Sequence, residues 1–186
     1  MRILGIDPGM KESAMLVYDS EFGNVRDLAI LLNHDMCRWM IREYPRLNID
    51  CLAIEQVACY GMTIGKDTME TLYWTGRFVQ AWPAEYCRVP RKTRWGPGGD
   101  TWGADGAWDG VCMALCKNNR AKDKNIRQAL IDRFGPGKAA IGTKKAPGPL
   151  YGLKSHLWSA LAVAVVAADA LEGETAKERR DEPDSD

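Results

Sequence analysis

The chain lacks any apolar run long enough to cross a bilayer: its longest, Ala160 to Ala168, is nine residues, where a membrane-spanning helix needs about 20. A secretory leader is not expected either, because Met1-Arg2 leads straight into a short apolar stretch, Ile3-Leu4-Gly5-Ile6, that stops at Asp7. Paired cysteine spacing is missing as well. Cys37, Cys51, Cys59, Cys87, Cys112 and Cys116 form no CxxC motif, and no second Cys/His pair lies near Cys112 and Cys116. That argues against a zinc site or a disulfide framework and for reduced thiols, several of them in strand-like segments where cysteine behaves as a small hydrophobe. No internal repeat is visible. A soluble, cytoplasmic protein with no membrane partner is expected.

What is present is 186 residues, enough for one domain with a substantial core, at 46% hydrophobic and 27% charged, the balance of a soluble globular protein. The formal net charge is zero, but the charges are segregated. From Tyr86 to Lys154 there are 14 Lys and Arg against 5 Asp and Glu; from Glu172 to Asp186 there are 3 basic residues against 7 acidic. The basic half suggests a polyanionic partner, and the acidic end a solvated appendage.

Apolar patterning predicts strands over Arg2–Asp7, Ala14–Tyr18 and Val25–Leu32, the first ending on the turn signal Asp-Pro-Gly and the last two joined by a hairpin turn at 19–24. A helix is predicted over Asp35–Tyr44, stopped by Pro45, then a buried-type strand over Cys51–Ile54 that ends in Glu55. Residues 67–82 read as a helix whose packed face carries Met69, Leu72, Tyr73, Gly76 and Val79–Gln80, and Cys87–Val89 as a fifth strand. The Gly- and Trp-rich stretch 94–110 has no period and reads as a long loop, a feature that is usually functional or disordered. Asn125–Phe134 is a predicted helix. Ser155 reads as the N-cap of a last, strongly apolar helix ending near Ala170, followed by an acidic tail at 171–186 that is read as disordered. Three strands, helix, strand, helix, strand, helix, helix is the order of a mixed α/β sheet with helices on its faces.

Asp7 ends the first strand and Glu55 the fourth. If those strands are neighbours, the two carboxylates project together at one sheet edge. Carboxylates on rigid strand ends make a hard-oxygen site for Mg²⁺ or Mn²⁺, ions that complete their shells with water and substrate phosphate. Two such ions can serve the attacking and leaving oxygens of a phosphodiester.

Ile6-Asp7-Pro8-Gly9 after one buried strand and Ile54-Glu55-Gln56-Val57 after another resemble the first two signatures of RuvC-like Holliday junction resolvases. The run Ser155-His156-Leu157-Trp158-Ser159-Ala160-Leu161-Ala162-Val163-Ala164 is similar to that family's final helix, which reads His-x-x-Asp-Ala-Leu-Ala-x-Ala; Ala121–Leu130 is similar to the basic segment and helix before it. The likeness spans about residues 1–170 and is in the style of phage-encoded members. It implies an RNase H-like fold, a mixed five-stranded sheet flanked by helices, with one nuclease domain over residues 1–170 that contains the inserted loop 94–110. It also implies a homodimeric, metal-dependent endonuclease that cleaves four-way junctions in DNA recombination, in the cytoplasm of a bacterium or of a phage's host. Residues 67–82 would be the interface helix, with Gly76 permitting close approach.

One departure matters. Where the family places its last catalytic Asp, this chain has Ser159, while His156 is retained three residues earlier. Either His156 and Ser159 complete a reduced site with Asp7 and Glu55, which would favour Mn²⁺ over Mg²⁺ because imidazole suits Mn²⁺ better; or another acid, Asp123 or Asp132, moves in; or the site is inactive. For DNA contact the candidates are the basic cluster Arg88, Arg91, Lys92, Arg94, Lys117, Arg120, Lys122, Lys124 and Arg127, residues that engage phosphates without reading sequence. Lys122 or Lys124 is also placed to stabilise charge at the phosphate undergoing attack. Tyr60, in the loop Ala58–Met62, is a candidate wedge against an opened base step. The Trp-rich loop 94–110 is either a second aromatic surface for unstacked bases or idle. Competing functions are a less selective nuclease for branched or flap DNA and a catalytically weak junction-binding protein. An actin-like ATPase is disfavoured, since the chain has no second Gly-rich phosphate loop and length for only one lobe.

Overall fold

In the computed structural model, which describes residues 1–58, 63–93 and 109–181, the run Ile3-Leu4-Gly5-Ile6 lies at the centre of a sheet. Its strand, β1 (Arg2–Asp7), pairs antiparallel with β2 (Glu12–Asp19) and parallel with β4 (Cys51–Gln56). β3 (Asn24–Leu32) extends the antiparallel side and β5 (Tyr86–Pro90) the parallel side, so the order is β3-β2-β1-β4-β5. The strand period of two sends Ile3, Leu16, Cys51 and Ala53 to one face and Leu4, Ile6, Val17, Leu52 and Ile54 to the other. Both faces are covered by helices, which is why β1 and β4 read as continuous apolar runs rather than alternating ones. This is the expected mixed five-stranded α/β sheet.

On one face lie α1 (Asn33–Leu47) and α2 (Lys66–Ala81), which contribute Met36, Met40, Trp74 and Phe78 to the core. On the other, α6 (Leu157–Asp181) runs along β1, with α3 (Val111–Cys116), α4 (Asp123–Phe134) and the short α5 (Lys138–Ile141) outside it. Every residue from Ala160 to Ala168 is buried, as a helix enclosed between a sheet and other helices must be. Gly5 makes that enclosure tight. A Cβ at Gly5 would stand 2.3 Å from the Ala160 carbonyl oxygen and 2.8 Å from Ala164 Cβ, so the α6 backbone rests directly on β1. Arg133 closes the outer layer with two 2.7 Å bonds to Asp169, a fork-to-fork pair between α4 and α6. Among the described residues, no helix is long and apolar enough to cross a membrane.

Three helices differ from the sequence expectation, and two short ones were not expected. α1 does not stop at Pro45 but runs on to Leu47 and closes on Asn48 in the left-handed conformation. A proline in the last turn forfeits only one intrahelical bond, to the carbonyl of residue 41, where the helix faces water: Ile41 is 65% exposed. The packed face of α2 is Trp74, Thr75 and Phe78, whereas Met69, Leu72 and Tyr73 are exposed. α6 begins at Leu157, because Ser155 has φ +46° rather than the extended backbone of an N-cap, and its carbonyl rather than its side chain bonds the helix, at Trp158 N (3.3 Å). At the other end α6 continues past Ala170 to Asp181, where Leu, Glu, Ala, Lys and Arg outnumber the weaker helix formers Gly173 and Thr175, and Glu172 accepts a 2.5 Å hydrogen bond from Ser20. The short helices α3 and α5 lack enough residues to show a period.

Candidate active site

The β1–β4 register pairs Gly5 with Ala53 and Ile6 with Ile54, so the next step of the ladder sets Asp7 beside Glu55. Gly5 and Ala53 face α6, and two residues further on Asp7 and Glu55 face the same way. Their side chains are only 13% and 16% exposed. His156 directly precedes α6. Its carbonyl accepts the Ala160 N–H (3.1 Å), and its Nδ1 lies 2.9 Å from Asp7 Oδ2.

The turn that follows Asp7 is braced from beneath. Gly9 N–H donates to Ser13 Oγ (3.1 Å), the Ser13 hydroxyl donates to Asn33 Oδ1 (2.7 Å), and the Asn33 amide donates back to the Gly9 carbonyl (2.9 Å). Ser13 and Asn33 are buried, so this ring of bonds is shielded from water. A Cβ at Gly9 would meet the Glu12 carbonyl oxygen at 2.4 Å, and only glycine lets the turn close.

Burial raises the pKa of Asp7, opposed by its hydrogen bond to His156 and by the charges of His156 and Arg91. Burial, then the neighbouring Asp7 charge, pushes Glu55 up to about 8, against the pull of Arg91. Burial and mutual repulsion thus disfavour two charges in the pair, a cost that a divalent cation would relieve. Two shielded hard-oxygen donors fit Mg²⁺ or Mn²⁺. Among the described residues no three His, Cys, Asp or Glu side chains converge into a ready-made cage; the groups that could hold a cation are Asp7 and Glu55, with His156 hydrogen-bonded to Asp7.

Arg91 joins this pair to α4. One guanidinium nitrogen lies 3.7 Å from Glu55 Oε1, and the other bonds Asp123. A hollow of about 510 Å³ above the acid pair is lined by Asp7, Glu55, Arg91, Asp123, His156 and Ser159. It runs into a larger groove of about 990 Å³ between α4 and the start of α6, where Lys124, Arg127, Lys154 and Trp158 form the walls. Of the expected site residues, the fold brings together Asp7, Glu55, His156, Ser159 and Asp123, with Arg91, Lys124 and Arg127. Asp132 is elsewhere, exposed on α4 and bonded to Gln128 (2.8 Å). Lys92, Arg120 and Lys122 are exposed and do not line the groove. Tyr60 and residues 94–108 lie outside the described residues. Sequence reasoning overlooked Lys154 and Trp158 as site residues, although both sit in or beside the His-x-x-Ser helix motif.

No protein-family model and no curated protein sequence matches the chain. Among solved structures it is similar to the Thermus thermophilus RuvC structure, with a TM-score of 0.63 at 16% sequence identity, covering 94% of this chain and 98% of that one. The chain has the RuvC fold. A second structure, T. thermophilus RuvC in complex with Holliday junction substrate, aligns with a TM-score of 0.58 at 16% identity over 92% of this chain and 95% of that one. Identity this low carries the architecture of RuvC, and the chemistry rests on the residues themselves.

Proposed function

We propose that this protein is a metal-dependent, structure-selective DNA endonuclease that cuts four-way junctions as a homodimer. The observation that carries the proposal is the Asp7–Glu55 pair, shielded from water and set at the head of a cationic groove. The RuvC solved with a Holliday junction substrate supports the substrate class. Asp7 and Glu55 would hold Mg²⁺ or Mn²⁺, with His156 and Ser159 beside them; the bound cation supplies Lewis acidity towards the scissile phosphate.

Asp7 orients His156 through Nδ1, and among the described residues no protein group bonds Nε2. Nε2 is therefore available to take the proton of the attacking water. Arg91, Lys124 and Arg127 neutralise the phosphates of the bound strand. Water adds to phosphorus, the P–O3′ bond breaks, and the products are a 5′-phosphate and a 3′-hydroxyl. A two-fold junction takes two matched cuts, one from each subunit. The exposed α2 residues Met69, Leu72 and Tyr73, beside Gly76 with open space over its Cα, support a dimer through that helix.

A second arrangement of the same site is favoured by the Arg91 bridge: Asp123, tethered beside Glu55, takes the place of the acid that Ser159 replaces. Cleavage of a four-way junction, a Y-fork and linear duplex in Mg²⁺ or Mn²⁺ tests the proposal, with Asp7→Asn as the control. The junction is expected to be cut fastest, and Asp7→Asn to be inactive. Equal rates on all three substrates would leave a less selective nuclease; cleavage that survives Asp7→Asn would sink the mechanism; binding without cutting would mark a junction-binding protein.

A further inference from the structure

The Arg127 guanidinium lies 4.8 Å from the centroid of the Trp158 ring. Arg91, the other arginine lining the groove, is engaged by Glu55 and Asp123, and Arg133 further along α4 by Asp169. Among the described residues Arg127 has no carboxylate within ion-pair distance. A guanidinium laid on an indole is held in place while its N–H edge stays available to an acceptor from outside the protein. Around this stack the groove combines two unlike chemistries. Lys124 and Lys154 line it with positive charge, and Val111, Ile131, Leu153 and Ala162 line it with apolar surface. A backbone phosphate needs the first and has no use for the second. An occupant with a flat apolar face and an attached anion uses both.

We infer that this groove holds an unpaired nucleotide of the bound DNA, its base against the Trp158–Arg127 stack and its phosphates at Lys124 and Lys154. The inference rests on the groove being a DNA site, as proposed above. Bases inside a duplex already have both faces stacked, so only an unpaired base has a face to offer, and base–aromatic stacking tolerates any base. The position relative to the chemistry also fits. Glu55, Arg91, Asp123, His156 and Ser159 line both the hollow at the acid pair and this groove, so one strand passes through the two without a barrier. Trp158 stands between His156 and Ser159 at the head of α6, and would hold a nucleotide close to the phosphate that is cut. A junction, whose branch point interrupts stacking and so lowers the cost of unpairing a base there, can present such a nucleotide more readily than continuous duplex.

The test uses the full chain and four-way junctions carrying 2-aminopurine, or an abasic residue, stepped through the positions flanking the cut. Binding is measured in Ca²⁺ and cleavage in Mn²⁺. At one position 2-aminopurine emission is expected to change on binding to wild type and to stay unchanged with Trp158→Ala. Trp158→Ala is expected to weaken binding of an unpaired oligonucleotide by about 10- to 100-fold, and Trp158→Phe to restore most of it. An abasic residue at the responsive position is expected to lower wild-type affinity by a similar factor, a readout that needs no variant to fold. On that abasic junction Trp158→Ala is expected to cost little further affinity, because the contact it removes is already gone. If wild type binds and cuts junctions while no position responds and Trp158→Ala binds as tightly, the nucleotide site is refuted and the nuclease proposal stands. If wild type binds no DNA, both fall.

Discussion

Replacing Glu55 by Gln is expected to make the metal-free protein more stable, in a way that depends on pH. In the folded chain Glu55 keeps its proton up to about 8, because burial and Asp7 oppose its charge; in the unfolded chain it releases the proton near an ordinary 4.5. Below pH 4.5 both states are protonated and the site costs nothing. Between 4.5 and 8 the folded state binds more protons than the unfolded one, so stability falls as pH rises, and above 8 the full cost is present. At about 1.4 kcal/mol per pKa unit, the cost is capped at about 5 kcal/mol. For a domain of this size each kcal/mol moves the melting temperature by about 2–4 °C, so wild type in EDTA is expected to melt roughly 10 °C or more lower at pH 9 than at pH 5. Gln cannot ionise, and its amide can donate to Asp7 as the protonated acid does. Glu55→Gln should therefore match wild type near pH 4.5 and exceed it increasingly towards pH 9. Thermal melts in EDTA across that range measure this directly. Parallel profiles for the two proteins would refute the buried-pair reasoning. With millimolar Mn²⁺ at pH 8.5, wild type is expected to recover stability and Glu55→Gln to recover less.

Gly5→Ala would drive a methyl into the Ala160 carbonyl, an overpacking cost of about 1–3 kcal/mol by urea denaturation. Because the clash is with backbone, Ala164→Gly is not expected to rescue it, and cleavage should fall further than stability does as His156 is displaced from Asp7. Asn33→Ala would leave the Ser13 hydroxyl and the Gly9 carbonyl without their buried partner, for a loss of about 1–3 kcal/mol in the same assay. Ser159→Asp would add a fourth carboxylate to the hollow, beside Asp7, Glu55 and Asp123: Mn²⁺ affinity by titration calorimetry should rise, and metal-free stability at pH 8 should fall.

The acid pair was legible because strand ends can be read from short apolar runs. Asp7 and Glu55 each terminate one, and parallel pairing of β1 with β4 does the rest. His156 was legible through its motif, and the layered α/β architecture through the order of elements. The helix faces were harder. The periodicity of 67–82 admits either face, and it is contact with α1 and the sheet that buries Trp74 and Phe78 and leaves Met69, Leu72 and Tyr73 in water. The brace under the Asp7 turn had no signature, since Ser13 and Asn33 are 20 positions apart and neither residue type marks a buried network. Trp158 looked like part of an apolar helix; only the placement of α4 against α6 sets Arg127 over its ring. Asp123 and Asp132 cannot be told apart along the chain; in space Arg91 bonds Asp123, while Asp132 pairs with Gln128 away from the hollow.

Asp7 and His156 lie 149 positions apart, near opposite ends of the described chain. During synthesis β1, β4 and the acid pair emerge long before α6, the element that covers Gly5 and delivers the imidazole. A chain halted anywhere before His156 carries the acids without the histidine, and leaves one face of its central strand bare. α6 thus both seals the core and brings His156 to Asp7, so a chain that lacks it lacks the proposed site together with one wall of its core.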